Sequence, residues 1–281
     1  MERETICVCG AGTMGSGIAQ VTAAAGFATL LYDLNEAALQ QATARLHGDL
    51  KKLVARQKLT EEKAAAILEN IVFTSDPLQC KASIIIEAIV EKMPVKAALF
   101  NQLAAQNNAE TIFATNTSSL SVSELAAQIN GPERVAGLHF FNPAPVMKLV
   151  EVVRGHQTGD AVLQRLVAFA KNCNKVPVVC RDAPGFIVNR VARPYYIEAL
   201  RLVEEEQVSI EKADELLQAV GFKLGPFGLM DLIGNDVNYA VSCSIYEQLK
   251  KPERLKPSPL QEEKVASGAL GKKAGRGYYT Y

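Results

Sequence analysis

Residues 5–15 read TICVCGAGTMG, and this stretch decides the fold. Its first five residues form an apolar run typical of a buried strand, and apolar helical spacing begins inside the glycine segment that follows. In that setting, each glycine of G-x-G-x-x-G has a physical task. Gly10 permits a tight turn, Gly12 lets the backbone approach a pyrophosphate, and Gly15 allows the helix to pack closely on the strand.

A second apolar run strengthens this interpretation because it ends in an acid. Asp33 follows Gly15 by eighteen residues, where a carboxylate can accept hydrogen bonds from both hydroxyls of an adenosine ribose. The same carboxylate repels a 2'-phosphate, and residues 34–36 supply no arginine to neutralise one. We therefore predict an NAD site rather than an NADP site, formed by Gly10, Gly12, Thr13, Met14, Gly15 and Asp33.

Strand-like and helical patterns alternate through the first two-thirds of the chain. The apolar runs are continuous rather than alternating, which favours a mainly parallel sheet buried on both faces. The predicted strands are 6–9, 28–33, 71–74, 84–89, 111–115, 135–141, 149–153 and 176–180, with a helix at 160–173 between the last two. We expect an α/β, Rossmann-like domain over residues 1–183, with helices on both faces of the sheet.

From residue 184 the strand signals stop, and helical spacing takes over. We predict a smaller all-α domain over residues 184–281. Its later helices are expected at 209–220, 229–249 and 260–269, and Pro194 should kink or locally repack the first one.

Composition and charge exclude several classes of protein. Lys plus Arg equals Asp plus Glu at 30 each, so no net field favours nucleic acid or an anionic membrane. The apolar runs are shorter than the roughly 20 residues of a membrane span, and the first strand leaves no room for a signal segment. Six cysteines without CxxC pairs and only three histidines do not make a metal site. We expect a cytoplasmic protein with reduced, mostly buried thiols and no metal.

A histidine and a glutamate are candidates for proton transfer. His139 ends a buried strand, where the residues of an open parallel sheet line the ligand crevice. Glu151 interrupts the next apolar strand, where a carboxylate is expensive to bury without a partner. Paired with Glu151, the imidazole would hold one tautomer and could take a proton from an alcohol as hydride leaves. The alternative is a solvated glutamate on an edge strand.

Two further polar residues could reach the same crevice. Ser118 follows another strand and needs to cap nothing, whereas Ser121 is explained as the N-cap of a helix with Glu124 three residues on. Asn189 lies near the start of the second domain, where it is either an exposed surface residue or projects into the interdomain cleft.

Taken together, these segments resemble the L-3-hydroxyacyl-CoA dehydrogenase family, including its shorter 3-hydroxybutyryl-CoA dehydrogenases. The resemblance runs from Ile6 to Tyr281. The matching segments are GAGTMG (10–15), EAIVE (87–91), NTSS (116–119), HFFNP (139–143), PGFIVNR (184–190) and GKKAG (271–275).

The resemblance implies a reaction and a set of roles. His139 would be the general base and Glu151 would orient it, while Ser118 and Asn189 would hold the reacting oxygen of the thioester. The remaining implied contacts are Glu91 and Lys96 on the nicotinamide ribose side, Asn142 near the cofactor, Lys273 reaching toward NAD, and Lys51 and Lys58 binding coenzyme A. The expected reaction is reversible NAD-dependent oxidation of an (S)-3-hydroxyacyl-CoA to the 3-ketoacyl-CoA, with short-chain substrates such as 3-hydroxybutyryl-CoA and acetoacetyl-CoA.

Two other functions remain open from the residues. One is an NAD-dependent dehydrogenase of a free hydroxy acid or sugar acid on the same plan, and the other is a non-catalytic NAD-binding structural protein. The apolar side chains of Ile187, Val191 and Leu202 exceed what one helix pair needs, so we also expect a homodimer.

Overall fold

A computed structural model describes residues 4–281, which divide into two compact units. The first unit ends at Asp182, and the second is Ala183–Tyr281.

The first unit is built on one sheet of eight strands in the order β3-β2-β1-β4-β5-β6-β7-β8. All eight predicted strands are present. Their bounds are β1 Thr5–Cys9, β2 Ala28–Tyr32, β3 Ile71–Thr74, β4 Ile84–Glu87, β5 Ile112–Thr115, β6 Val135–Phe140, β7 Leu149–Arg154 and β8 Val176–Arg181. The expectation of a mainly parallel sheet is confirmed, because β1 to β6 all run in one direction.

The last two strands run the other way. β7 pairs antiparallel with β6, and β8 pairs parallel with β7. A strand that returns directly beside β6 is joined to it by a short loop rather than by a crossover helix. β7, the strand that follows His139 in the sequence, therefore lies directly beside β6, which contains His139.

Helices cover both faces of the sheet, as the apolar runs predicted. They are α1 Thr13–Ala24, α2 Glu36–Ala55, α3 Glu61–Glu69, α4 Met93–Ala104, α5 Val122–Ala126 and α6 Asp160–Asn172. One core cluster joins α1, α2, α3 and α6 to the sheet, and a second joins α4 and α5 to its other face. Ser121 caps α5 by accepting a hydrogen bond from the Glu124 backbone at 3.1 Å, as its spacing predicted.

The second unit is helical, with α7 Val188–Glu204, α8 Ile210–Ala219, α9 Pro226–Ile233, α10 Asn235–Gln248 and α11 Pro259–Ala266. The prediction of one helix over 229–249 is wrong. Gly234 separates α9 from α10 with φ +107, a backbone conformation that interrupts a right-handed helix and that glycine adopts without strain. α7 continues through Pro194, whose cost is one missing backbone hydrogen bond.

Two buried aspartates hold the C-terminal tail against the helices of this unit. Asp231 accepts hydrogen bonds from the Tyr278 and Tyr279 backbone N–H groups, both at 2.9 Å, and from the Tyr281 hydroxyl at 3.1 Å. Asp214 accepts one from the Tyr279 hydroxyl at 2.9 Å. The tail is thus part of the fold of the second unit.

Within residues 4–281, no helix has the length and apolar character that a bilayer crossing requires. The same residues contain no group of three or more His, Cys, Asp or Glu side chains that could hold a metal ion. Cys7, Cys9, Cys80 and Cys173 are buried, and Cys180 and Cys243 are partly buried.

Candidate active site

The glycine loop joins β1 to α1 and has the close contacts that its sequence predicted. A Cβ added at Gly15 would lie 1.7 Å from the Gly10 carbonyl oxygen, and one added at Gly10 would lie 2.5 Å from the Ala88 oxygen. A Cβ added at Gly12 would meet no atom within 4 Å. Gly10 and Gly15 are therefore required by the fold itself, whereas Gly12 keeps open the space in front of the α1 N-terminus.

Asp33 lies directly after β2 and faces this loop. One oxygen of its carboxylate accepts a hydrogen bond from the Ala11 backbone N–H at 2.7 Å, and the other accepts one from Asn35 at 2.9 Å. These bonds fix the carboxylate beside the glycines, where the sequence placed the ribose-binding acid.

The loop suits a dinucleotide. Gly12 and Thr13 are exposed at the start of α1, so their backbone N–H groups and the positive end of the helix dipole can meet a pyrophosphate. With Asp33 beside them, the residues present fit the adenosine diphosphate half of NAD.

His139 and Glu151 form a buried pair on neighbouring strands. They are direct partners in the antiparallel register of β6 and β7, and His139 Nδ1 lies 2.7 Å from Glu151 Oε2. The exposed fraction is 6% for His139 and 1% for Glu151. The predicted pairing is present, whereas the alternative of a solvated edge-strand glutamate is wrong, because β8 covers the far edge of β7.

This geometry assigns the ring nitrogens of His139. An ionised carboxylate only accepts hydrogen bonds, so Glu151 holds the proton on Nδ1 and leaves Nε2 as the basic nitrogen. A buried carboxylate also stabilises the imidazolium that forms when Nε2 takes a proton. The pair can act as a general base.

A second network of buried charges lies at the end of β4. Lys96 on α4 is 1% exposed, and its Nζ contacts Glu87 Oε1 at 2.6 Å and Glu91 Oε2 at 3.0 Å. Thr115 Oγ1 donates to the other Glu87 oxygen at 2.7 Å. Glu91 in turn accepts hydrogen bonds from the Ser118 backbone at 3.2 Å and from Ser119 Oγ at 3.0 Å.

The pKa values of the two glutamates in this network are shifted in opposite directions. Burial raises the pKa of Glu87, although Lys96, Thr115 and the Ile89 backbone N–H oppose it. Burial also acts to raise the pKa of Glu91, but the attraction of Lys96 and hydrogen bonds from Thr117 and Ser119 outweigh it and lower that pKa. Glu91 is therefore ionised at neutral pH and anchors the Ser118 loop to the buried lysine.

The loops after β5 and β6 are tied together at this edge of the sheet. Asn116 Oδ1 accepts a hydrogen bond from the Phe140 backbone at 2.8 Å, directly after His139. Asn142 is exposed in the loop between β6 and β7. Lys175, which is 8% exposed, donates from Nζ to the Met147 oxygen at 2.8 Å and to the Ala144 oxygen in the same loop.

Two of the predicted site residues belong to the second unit. Asn189 is the second residue of α7, and Lys273 lies in the C-terminal tail, where its Nζ contacts Asp236 at 2.6 Å. Burial acts to raise the pKa of Asp236, but the hydrogen bonds from Lys273 and the Val237 backbone N–H, together with the attraction of Lys273, outweigh it and lower that pKa.

The two lysines proposed for coenzyme A are both exposed. Lys51 lies in the last part of α2, and Lys58 lies beyond it. The two lysines do not share a helix face, because α2 ends at Ala55 and Gln57 takes a φ of +55 in the turn that follows.

The sequence patterns missed three groups: Glu87, Lys175 and Arg193 of α7. Glu87 could have been found by the argument that found Glu151, since it also ends an apolar run. Lys175 and Arg193 carry no such signal, because their burial depends on loops and helices that are distant in sequence.

The two halves of the chain match the two domain models of a single enzyme family. The family model described as 3-hydroxyacyl-CoA dehydrogenase, NAD binding domain, matches residues 5–183. The model for the C-terminal domain of the same enzymes matches residues 185–281.

Individual relatives match along the whole chain. A protein of Escherichia coli K12 named 3-hydroxyadipyl-CoA dehydrogenase is 48% identical over 99% of this chain, which spans 59% of that relative's length. A probable 3-hydroxybutyryl-CoA dehydrogenase of Bacillus subtilis is 40% identical, with 100% of this chain and 98% of the relative covered. The crystal structure of (S)-3-hydroxybutyryl-CoA dehydrogenase from Ralstonia eutropha superposes with a TM-score of 0.94 at 37% identity, covering 100% of this chain and 99% of that one.

Two glycine variants separate folding from cofactor binding. Gly15→Ala should lower the free energy of unfolding by about 1–3 kcal/mol or more, because its Cβ overlaps the Gly10 carbonyl. Gly12→Ala should unfold at the wild-type urea concentration but bind NADH at least about tenfold more weakly, a loss of roughly 1.4 kcal/mol, because its Cβ fills the space in front of α1. Circular dichroism in urea and titration calorimetry measure the two effects. Wild-type NADH affinity in Gly12→Ala would remove this loop from the cofactor site.

Asp33 should set the preference for NADH over NADPH. Asp33→Asn keeps an acceptor oxygen for Ala11 but removes the charge that repels a 2'-phosphate, so the ratio of kcat/KM between NADH and NADPH should fall at least about tenfold, or roughly 1.4 kcal/mol. Steady-state kinetics with both cofactors measure it. A wild-type enzyme that prefers NADPH, or a ratio unchanged in Asp33→Asn, would be incompatible with this role.

Proposed function

The chain belongs to the 3-hydroxyacyl-CoA dehydrogenase family, and we propose that it oxidises an (S)-3-hydroxyacyl-CoA to the 3-ketoacyl-CoA, and reverses this reaction, with NAD. Residues 1–183 form the NAD-binding domain and residues 184–281 the substrate and dimerisation domain. The single observation that carries the proposal is the buried contact between His139 Nδ1 and Glu151 Oε2 at 2.7 Å.

His139 carries out the proton transfer. Its Nε2 removes the proton of the C3 hydroxyl while C3 loses a hydride, so the alcohol becomes a ketone: one hydrogen leaves as the proton on His139, and the other leaves with two electrons as the hydride. When bound, NAD would supply the hydride acceptor, and its reduced form NADH would be the hydride source for the reverse reaction. Glu151 keeps the ring in the required tautomer and stabilises the imidazolium.

The remaining site residues bind and orient the substrate and the cofactor. Ser118 and Asn189 hold the reacting oxygen, and the Glu91 network keeps the Ser118 loop in place through the hydrogen bond at 3.2 Å. Glu91, Lys96, Asn142 and Lys273 belong to the cofactor side. Lys51 and Lys58 pair with coenzyme A phosphates, a role that their exposure supports.

The proposed substrates are short-chain thioesters such as 3-hydroxybutyryl-CoA and acetoacetyl-CoA. Relatives named for 3-hydroxybutyryl-CoA and for 3-hydroxyadipyl-CoA support acyl chains of this size. The free-acid alternative lacks a comparable observation in its favour. A purely structural role gives no reason to bury His139 against Glu151.

We place the enzyme in the cytoplasm as a homodimer. Val191 is 71% exposed and Leu202 is 41% exposed on α7, and such apolar side chains suit an interface between two copies. Sedimentation should give the mass of a dimer, and a monomer mass at all concentrations would contradict it.

Changes to the His139–Glu151 pair should affect turnover more than binding. His139→Gln removes the base and should lower kcat about 10²- to 10⁴-fold with acetoacetyl-CoA and NADH. Glu151→Gln should also lower kcat while NADH affinity is kept, because the tautomer is no longer fixed. Stopped-flow absorbance of NADH measures turnover, and calorimetry measures binding.

The matched control is His156→Gln, which alters an exposed histidine of the same unit and should leave kcat unchanged. Near-wild-type turnover in folded His139→Gln would show that His139 is not the base. An unchanged kcat in Glu151→Gln would remove Glu151 from the mechanism.

A further inference from the structure

Arg193 is a buried cation on α7, one helical turn after Asn189. It is 3% exposed. Its Nε donates to the Asn189 carbonyl oxygen at 3.1 Å, and its Nη1 donates to the Asn238 carbonyl oxygen at 3.0 Å and to Ser242 Oγ at 2.9 Å. The guanidinium lies 4.9 Å from the Tyr196 ring centre.

These partners are all neutral. No carboxylate of residues 4–281 lies within 4.0 Å of the Arg193 nitrogens. Burial lowers the pKa of Arg193 to about 10, so the group remains charged at neutral pH. A buried charge without a counter-charge is expensive, and proteins normally compensate it.

Hydrogen-bond donors are left over at the same place. A guanidinium has five N–H groups, and across residues 4–281 Nη2 makes no hydrogen bond. The buried side-chain nitrogen of Asn238 also lacks a partner there. The side-chain oxygen of Asn238 accepts a hydrogen bond from Gln261 at 2.8 Å. If the oxygen and nitrogen of this amide changed places, the nitrogen would face the Gln261 donor and the oxygen would lack a partner.

The left-over donors match one kind of ligand group. Two guanidinium N–H groups and an amide N–H group can bind both oxygens of a carboxylate, and the negative charge would compensate the buried cation. Water would satisfy the hydrogen bonds but not the charge.

We propose that Arg193 and Asn238 bind the terminal carboxylate of the acyl chain, so that the preferred substrate is a 3-hydroxyacyl-CoA derived from a dicarboxylic acid. This inference rests on the proposed function, in which Asn189 holds the C3 oxygen.

The spacing along α7 sets the length of the chain. Residues four apart share a helix face, and one turn advances about 5.4 Å. Three carbon–carbon bonds beyond C3 span roughly 4 Å, and a charge-assisted hydrogen bond adds about 2.8 Å. Together these lengths come to about 6.8 Å, close to the roughly 6 Å that four residues advance along a helix, so we expect a six-carbon chain with its second carboxylate at C6.

Two substrates of equal length test the proposal. 3-Hydroxyadipyl-CoA carries a carboxylate where 3-hydroxyhexanoyl-CoA carries a methyl group. Wild-type kcat/KM should favour the adipyl thioester at least about tenfold, which is about 1.4 kcal/mol. Arg193→Met should reduce that ratio by about 10- to 100-fold while kcat/KM for the hexanoyl thioester stays within about threefold, since only the charged contact is lost.

Three further variants sharpen the test. Arg193→Lys should keep part of the preference. Asn238→Asp gives Arg193 a carboxylate inside the protein and keeps an acceptor for Gln261, so it should fold as well as wild type and lose the preference even if Arg193→Met does not fold. Arg201→Met removes a partly exposed arginine from the same helix and should leave the ratio unchanged.

Binding gives a readout without turnover. Calorimetry of adipyl-CoA and hexanoyl-CoA should show the same preference and the same loss in the variants. The proposal would be overturned if the wild-type protein did not distinguish the adipyl from the hexanoyl thioester, or if its preference survived both Arg193→Met and Asn238→Asp. Either result would leave the dehydrogenase function intact. Failure to oxidise either thioester would instead contradict the proposed function, and the binding ratios would still decide the role of Arg193.

Discussion

The reversed direction of β7 is the constraint on which the proposed active site depends. Because β7 returns antiparallel beside β6, His139 and Glu151 become direct cross-strand partners. A parallel continuation would need a crossover connection and would carry the glutamate elsewhere. The buried position of the pair then gives the contact its effect, since a hydrogen bond to a carboxylate in a low dielectric environment strongly favours one imidazole tautomer.

Two buried lysines of the first unit and one buried arginine of the second differ in how their charge is compensated. Lys96 lies between two carboxylates and so links the β4 end to the Ser118 loop. Lys175 reaches only carbonyl oxygens, and burial together with Lys148 lowers its pKa. Arg193 also has only neutral partners, but its guanidinium cannot readily lose its charge. Of these three groups, only Arg193 therefore retains an uncompensated charge that an anionic ligand group could neutralise.

Local patterns predicted the strands, the glycine loop and Asp33, because each depends on residues close in sequence. Glu151 was found through the cost of burying a carboxylate, which holds whatever its partner is. The Gly234 break was missed because an apolar helical pattern runs through it and only the backbone conformation interrupts it. The surroundings of Lys175 and Arg193 depend on tertiary packing, which periodicity does not encode.

The most direct test of the account is a crystal structure with NAD and a 3-hydroxyacyl-CoA bound to the Glu151→Gln variant, in which slow turnover preserves the complex. The substrate C3 oxygen should lie about 2.6–3.2 Å from His139 Nε2. A C3 oxygen held by other residues, with His139 outside hydrogen-bonding reach, would contradict the account even with NAD in the glycine loop.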